Sequence, residues 1–292
     1  MVALYGLTVI LGMLAVPAAA QGPVNATGIV AAENFYGDVA QQLAGNNTTI
    51  SSILSNPDQD PHLFEASPSV ARLLSGAAIV IYNGADYDPW MTKLLAATPS
   101  PNREVIVVAD LVHRKPGDNP HLWYDPPTMP IFAKALAKSL SDREPSRRHD
   151  FDVRLRAFLE SLQPLDAKIT KLRQAFGGIP VTATEPVFGY MAAALGFDMR
   201  NARFQLAVMN STEPRASDVA AFENDLRTHA VRLLFYNSQA SDSAAQRLVR
   251  IARQSKVPVV GVTETEPPGK NYQDWMMSEL DAIAQALSGI PQ

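Results

Sequence analysis

The chain contains no cysteine among its 292 residues. That absence excludes disulfides, thiolate zinc sites, cysteine nucleophiles and a lipid attached through cysteine. Charge is also sparse, because charged residues make up 18% of the chain and the net charge is −4. Without a basic excess, nucleic acid is not an expected partner. Sixteen glycines against 22 prolines indicate stiff, defined loops rather than flexible linkers.

The first twenty residues are apolar and end in Ala18-Ala19-Ala20. This is the pattern of a secretory signal peptide cut before Gln21. A membrane anchor is the alternative, but the apolar run is short for a span, which needs about 20 apolar residues. We therefore predict a soluble periplasmic or otherwise extracytoplasmic protein that is not lipid-anchored.

Short apolar runs alternate with amphipathic segments in both halves of the chain, which predicts parallel βα units. Strands are predicted at Gly28–Ala32, Thr49–Leu54, Ala78–Asn83, Glu104–Asp110, Ile179–Thr184, Phe204–Met209, Val231–Tyr236 and Val257–Thr263. Helices are predicted at Phe35–Leu43, Pro68–Ser75, Tyr87–Ala97, Pro186–Leu195, Arg215–Arg227, Asp242–Gln254 and Tyr272–Leu287. The predicted fold class is α/β, with two lobes that each contain a parallel β-sheet flanked by helices.

A regular apolar stripe separates the two halves. Apolar residues spaced alternately by four and three positions run from Phe151 to Phe176 and predict one long backbone helix from about Pro145. Pro164 removes one backbone donor and can kink this helix. A coiled-coil dimer is the competing explanation, but a helix packed along both lobes of a monomer is simpler. The predicted divisions are a signal peptide (1–20), an N-terminal lobe (21–144), a linking helix (145–178) and a C-terminal lobe (179–292).

Two of the five histidines occupy matching frames. His62 lies in the run D-P-H-L-F-E and His121 in N-P-H-L-W-Y-D-P, each led by a proline that fixes its own backbone angle. Both follow predicted strands, and open α/β sheets bind ligands outside the carboxyl ends of their strands. Turn-capping surface histidines would explain either one alone, but the repeated frame favours a shared site. The other three histidines lack the frame and are predicted to lie on the surface: His113, His149 and His229.

Acidic residues occupy the corresponding positions in the second half. Glu185 directly follows a predicted strand, and Glu264 and Glu266 follow the last one. The alternatives are a carboxylate that interacts with a helix N-terminus at Glu185 and exposed loop acids at the other two. Oxygen donors favour manganese or iron(II), whereas imidazole favours zinc and copper. A site that combines histidines with such carboxylates would therefore suit manganese or zinc.

The sequence resembles the metal-binding proteins of zinc and manganese ABC importers, which are solute-binding proteins with a rigid linking helix. The resemblance spans nearly all of the mature chain and rests on both histidine frames, the long helix, E-P-V-F-G-Y-M and V-P-V-V-G-V-T-E-T. It implies four metal ligands, two from each lobe: His62, His121, Glu185 and Glu264. This set of two histidines and two glutamates favours manganese slightly over zinc. Glu266 is the rival for the fourth position, because the family usually has aspartate in a Thr-Asp-Ser-like turn where this chain has Thr263-Glu264-Thr265.

The resemblance implies a protein, not an enzyme, that captures Mn²⁺ or Zn²⁺ as cargo in the cleft between the lobes and uses no organic cofactor. Its expected partners are a membrane permease and a separate ATPase, because this chain has no P-loop. A metallohydrolase with Glu65 as general base is one alternative, but no His-Glu-x-x-His motif is present. A binding protein for an organic ligand or metal chelate is another, with a cleft lined by aromatic residues: Tyr190, Tyr236, Trp123 and Trp275.

Overall fold

A computed structural model describes residues 28–56, 64–239 and 243–289 of the chain. Within these ranges the protein forms two four-stranded parallel sheets flanked by helices, which confirms the predicted α/β class. The first sheet contains β1 (Ile29–Glu33), β2 (Ile50–Leu54), β3 (Ile79–Tyr82) and β4 (Glu104–Val107). The second contains β5 (Pro180–Ala183), β6 (Asp198–Arg200), β7 (Leu234–Asn237) and β8 (Val259–Val262).

Both sheets have the same strand order, β2-β1-β3-β4 in the first and β6-β5-β7-β8 in the second. In each sheet the chain first moves to one side of the opening strand and then crosses to the other side. The crevice between β1 and β3, and that between β5 and β7, are therefore topological switch points. Ligands of open α/β sheets bind outside the carboxyl ends of the strands at such points.

The connecting segments are mostly helical. The α-helices are α1 (Asn34–Ala44), α2 (Pro68–Ser75), α3 (Pro89–Ala97), α4 (Val108–Leu111), α5 (Thr128–Arg143), α6 (Arg148–Ser161), α7 (Gln163–Phe176), α8 (Gly189–Ala194), α9 (Ala202–Met209), α10 (Ala216–Arg227), α11 (Ser243–Gln254) and α12 (Tyr272–Ser288). Short 3₁₀ turns occur at Leu122–Tyr124, Pro145–Arg147 and Pro186–Phe188. Across the described ranges, none of the helices is long and apolar enough to cross a membrane.

The predicted long linking helix is instead two consecutive helices, α6 and α7, which are separated at Leu162. Pro164 lies in the first turn of α7, where its missing N–H is tolerated, so the proline begins a new helix rather than kinking a continuous one. The predicted apolar stripe is largely buried along both helices. Helix α6 packs on α1 and α5, whereas α7 packs on α12. The helix pair therefore joins the two lobes.

One strand prediction is wrong, because residues Phe204–Met209 form most of α9. In a short apolar run, periodicity alone does not distinguish a strand from a helix. Asn201, with φ of 60°, lies directly before α9 and begins that helix as its N-cap. The strand of this region is β6, which is too short and polar to give an apolar signal. The predicted helices also do not include α5.

The two lobes share a continuous apolar core. Its centre is a series of aromatic contacts that begins on α1, where the ring centroids of Phe35 and Trp123 lie 4.6 Å apart. Tyr124 continues the series to Trp275 on α12 at 5.7 Å and to Phe188 at 5.0 Å. Because Trp123 and Tyr124 lie only two and three residues after His121, this core fixes the loop that carries the histidine.

Candidate metal centre

His121 lies in the loop before the Leu122–Tyr124 turn, and its side chain is only 1% exposed. Its Nδ1 lies 2.6 Å from Asn119 Oδ1. Since an amide oxygen only accepts hydrogen bonds, the proton of the imidazole resides on Nδ1 and the lone pair on Nε2. Within the described ranges Nε2 makes no hydrogen bond, and it lies 3.5 Å from Glu264 Oε2. This nitrogen therefore keeps its lone pair on the side that faces Glu264, as a metal-binding imidazole would.

The first sheet holds the proline-led loop in place. Asn83, directly after β3, donates from Nδ2 to the carbonyl oxygen of Pro120 at 2.8 Å. The Tyr36 hydroxyl donates to Asn83 Oδ1 at 2.6 Å, so the orientation of the amide is fixed. The backbone amides of Asn83 and Gly84 donate to the buried carboxylate of Asp88 at 2.6 and 2.9 Å. These hydrogen bonds fix the loop that precedes His121 at the switch point of the first sheet.

A second carboxyl group lies beneath this loop. Glu33 ends β1 with no exposed surface, and burial followed by the charge of Asp88 raises the pKa of Glu33 well above its usual value. Burial also raises the pKa of Asp88, to about 6. The raised pKa of Glu33 is the expected result of a buried carboxyl group beside a second carboxylate.

The second sheet brings Glu185 and Glu264 together through Asn237, the last residue of β7. Glu185 follows β5 and Glu264 follows β8, and their side chains are buried. Asn237 Nδ2 donates to Glu185 Oε2 at 3.0 Å and to Glu264 Oε1 at 2.6 Å. One amide therefore bridges the two carboxylates and reduces their mutual repulsion.

Gln239 fixes the loop around Glu264. Its Oε1 accepts the backbone N–H groups of Glu264 and Thr265 at 2.5 and 3.2 Å. Its own backbone N–H donates to Asn237 Oδ1 at 3.0 Å. Because that oxygen accepts from Gln239, Asn237 must turn its nitrogen toward the carboxylates.

Glu266, the rival of Glu264, makes its contacts elsewhere. Its backbone N–H donates to Asn34 Oδ1 at 3.0 Å, and its carbonyl oxygen accepts from Asn34 Nδ2 at 2.8 Å. Burial, followed by the charge of Asp38, raises the pKa of its carboxyl group to about 9. These contacts connect the lobes beside the site, whereas Glu264 is the residue that approaches His121.

The structure thus brings His121, Glu185 and Glu264 to one region, and His62 lies outside the described residues. Among the residues that are described, no three His, Cys, Asp or Glu side chains form a group that could hold a metal ion. The three histidines predicted to lie on the surface are exposed, as expected: His113, His149 and His229.

Sequence reasoning missed Asn119 and Asn237, which orient the candidate ligands. Asn119 precedes the Pro-His pair of one frame, and Asn237 ends a strand at the switch point of its sheet. A search for polar residues of every type at the carboxyl ends of buried strands would have found Asn237. Its pairing with two glutamates distant in sequence could not be read from spacing.

Comparison with known families identifies the chain. The family model described as zinc-uptake complex component A, periplasmic (ZnuA), matches residues 29–286. The chain belongs to this family. The resemblance seen in the sequence is therefore confirmed, and it places this ZnuA family member among the substrate-binding components of metal ABC transporters.

Named relatives of this family member are similar over nearly its full length. The manganese ABC transporter substrate-binding lipoprotein PsaA of Streptococcus anginosus is 25% identical, with 97% of each chain covered. PsaA of Streptococcus pneumoniae serotype 4 is 24% identical, with 89% of each covered. The periplasmic zinc binding protein TroA of Treponema pallidum has the same fold, with a TM-score of 0.75 at 20% identity over 89% of this chain and 99% of TroA.

The prediction of a protein that is not lipid-anchored is wrong. The curated relatives are named lipoproteins, which are extracytoplasmic proteins held by lipid. That prediction used only the absence of cysteine from the chain, and an absence does not decide how a protein is held at a membrane. The extracytoplasmic location itself is supported by the relatives and by the periplasmic description of the family.

Proposed function

We propose that this ZnuA family member captures one divalent transition metal ion, manganese or zinc, between its lobes and delivers it to an ABC permease. The approach of His121 Nε2 to Glu264 Oε2, at 3.5 Å across the lobe interface, carries the proposal. Both side chains are almost fully buried. A buried imidazole beside a buried carboxylate is costly without a shared cation, and a metal ion supplies one.

The proposed ligands are His62 and His121 from the N-terminal lobe and Glu185 and Glu264 from the C-terminal lobe. Two neutral imidazoles and two carboxylates together carry a charge of −2, which balances a divalent ion. The mixed nitrogen and oxygen set suits a transition metal better than calcium or magnesium, which prefer oxygen ligands alone. The contacts of Glu264 to Asn237 and Gln239 favour it over Glu266 as the fourth ligand.

Delivery requires separate chains for the membrane permease and the ATPase. Because the proposed ligands come from both lobes, a small displacement of one lobe would break the four-ligand set and release the ion. Four protein ligands leave little room for an activated water molecule, which argues for capture rather than metal-dependent hydrolysis.

Thermal unfolding with and without metal tests the proposal. At a metal concentration about 100 times the wild-type Kd, bound ion stabilises the folded protein by about 2.7 kcal/mol. His62→Ala and His121→Ala should each reduce that stabilisation to below about 0.5 kcal/mol, the value for a roughly 100-fold weaker Kd. His149→Ala, on the exposed face of α6, is the matched control and should respond like wild type. An unchanged metal response in both site variants would reject the proposal.

A further inference from the structure

The amide of Asn237 makes contacts that bear on how the two glutamates could bind an ion. It is 5% exposed and donates to one oxygen of each carboxylate, Glu185 Oε2 at 3.0 Å and Glu264 Oε1 at 2.6 Å. An amide nitrogen has two hydrogens, so these two bonds use its full donor capacity. Its carbonyl oxygen is also engaged, by the backbone N–H of Gln239. The amide therefore has one orientation.

The oxygen of Glu264 that Asn237 does not contact is the one that faces His121. Oε1 accepts from Asn237 at 2.6 Å, whereas Oε2 lies 3.5 Å from His121 Nε2. A carboxylate that uses both oxygens for one ion must turn both toward it. The short bond from Asn237 opposes that rotation at Glu264, and the bond to Oε2 opposes it at Glu185.

We propose that Asn237 is a positioning residue that restricts Glu185 and Glu264 to one metal-bound oxygen each and so favours zinc over manganese. This inference rests on the proposed function. Two single-oxygen carboxylates lower the number of donor atoms toward four, which is the usual number for zinc held entirely by protein. Manganese prefers about six donors in octahedral geometry, and two single-oxygen carboxylates leave it short of ligands.

The choice of metal then depends on a residue that does not bind it. Donor type alone favours manganese slightly, because two of the four ligands are carboxylates. The Asn237 contacts favour zinc instead, because they limit the number of oxygen atoms that the two carboxylates can offer to the ion. His121 and Glu264, at 1% and 0% exposure, leave little access for water on their side of the site to complete a six-donor shell.

Competition titrations of Zn²⁺ and Mn²⁺ with wild type, Asn237→Leu and Asn237→Ser test the proposal. Leucine has a similar size and no donor, whereas serine retains one. Loss of an outer hydrogen-bond partner typically weakens metal binding about 10–100-fold, and we expect this for zinc with the leucine variant. Manganese should weaken by less than about threefold, because released carboxylates can supply additional oxygens. The serine variant should be intermediate. An equal loss for both metals would overturn the role of Asn237.

X-ray absorption at the zinc edge of loaded wild-type protein provides a readout that does not depend on a variant folding. About four nitrogen and oxygen neighbours at about 2.0–2.2 Å support the proposal, and about six overturn it. The two failures are distinguishable. Wild-type protein that binds neither metal contradicts the proposed function, whereas wild-type protein that binds both, with an unchanged zinc-to-manganese ratio in Asn237→Leu, contradicts only this inference.

Discussion

At the scale of single residues, Asn119 determines which nitrogen of His121 carries the proton. Its side-chain oxygen accepts the proton of Nδ1 at 2.6 Å, which leaves Nε2 directed toward Glu264. The same amide donates to the carbonyl oxygen of Pro186 at 2.8 Å, in the other lobe. Asn119 therefore fixes both the tautomer of the histidine and its position relative to the second lobe.

We expect Asn119→Ala to weaken metal binding by about 10–100-fold, because the imidazole loses its orienting partner. Isothermal titration of the metal-free protein with Zn²⁺ measures the change. Asn102→Ala, at an exposed position, is the control and should bind like wild type. Equal affinities for the Asn119 variant and wild type would show that the hydrogen bond does not orient the ligand.

The motif around His121 could be identified from sequence, but the partners of its side chain could not. Pro-His-Leu-aromatic is a local pattern, and a proline-led loop is a local consequence of it. By contrast, the pairing of Asn237 with Glu185 and Glu264 joins positions 52 and 27 residues apart through the order of the strands. Such contacts depend on which strands become neighbours, and spacing along the chain does not encode that.

At the scale of elements, one face of α1 connects the lobes. Asn34, Asp38 and Gln42 follow each other at four-residue intervals and thus lie on the same side of the helix. Asn34 makes two hydrogen bonds with the backbone of Glu266. Asp38 accepts a hydrogen bond from the backbone N–H of Tyr272 at 2.9 Å. The side chains of Gln42 and Gln273 donate to each other at 3.0 and 2.9 Å. This polar strip holds the segment that follows Glu264.

Asn34→Ala should lower the free energy of unfolding by about 1–3 kcal/mol, because it leaves the buried N–H and C=O of Glu266 without their partners. Chemical denaturation of metal-free protein measures this loss. Asn47→Ala is exposed and should change stability by less than about 0.5 kcal/mol. A similar small effect from both substitutions would mean that the strip does not contribute to the lobe contact.

Element boundaries were predictable where the periodic signal was strong. Helix α2 was predicted with the same ends as observed, Pro68 and Ser75, and β2 differs by one residue. The failures have local causes. The segment Phe204–Met209 is so short that its apolar pattern fits a strand as well as a helix. Pro164 is predicted to kink one long helix, but it lies in the first turn of a second helix.

At the scale of the whole molecule, the lobes meet over a buried carboxyl group. Glu279 on α12 accepts the indole N–H of Trp275 at 2.9 Å and lies 2.8 Å from the Tyr124 hydroxyl. The same hydroxyl lies 2.8 Å from the carbonyl oxygen of Thr263, beside Glu264. One phenolic proton cannot serve both acceptors, so a proton on Glu279 completes the network. Burial raises the pKa of Glu279 to about 8, in agreement with this proton count.

Stability should therefore fall as pH rises from about 5 to about 8. Between the ordinary glutamate pKa and the raised value, the folded protein binds one more proton than the unfolded chain, so the contribution of Glu279 to the free energy of unfolding decreases with pH. Above about pH 8 this contribution levels off. The effect runs opposite to that of a salt-bridged carboxylate.

Glu279→Gln keeps the size of the side chain and removes its titration. Relative to wild type, it should gain stability between pH 5 and pH 8.5 by an amount on the order of a few kcal/mol. Urea unfolding of both proteins at the two pH values measures this difference, and Glu160→Gln on an exposed part of α6 is the control. A stability difference that is the same at both pH values would show that Glu279 is already charged in the folded protein.

The central claim is that both lobes together bind one divalent transition metal ion, and calorimetric titration of metal-free protein tests it most directly. Wild type should bind one equivalent of Zn²⁺ or Mn²⁺, and Glu160→Gln should behave in the same way. The double variant Glu185→Gln/Glu264→Gln should lose saturable binding, because it removes both carboxylates of the C-terminal lobe. Absence of saturable binding in wild type, or undiminished binding of one equivalent in the double variant, would contradict the claim.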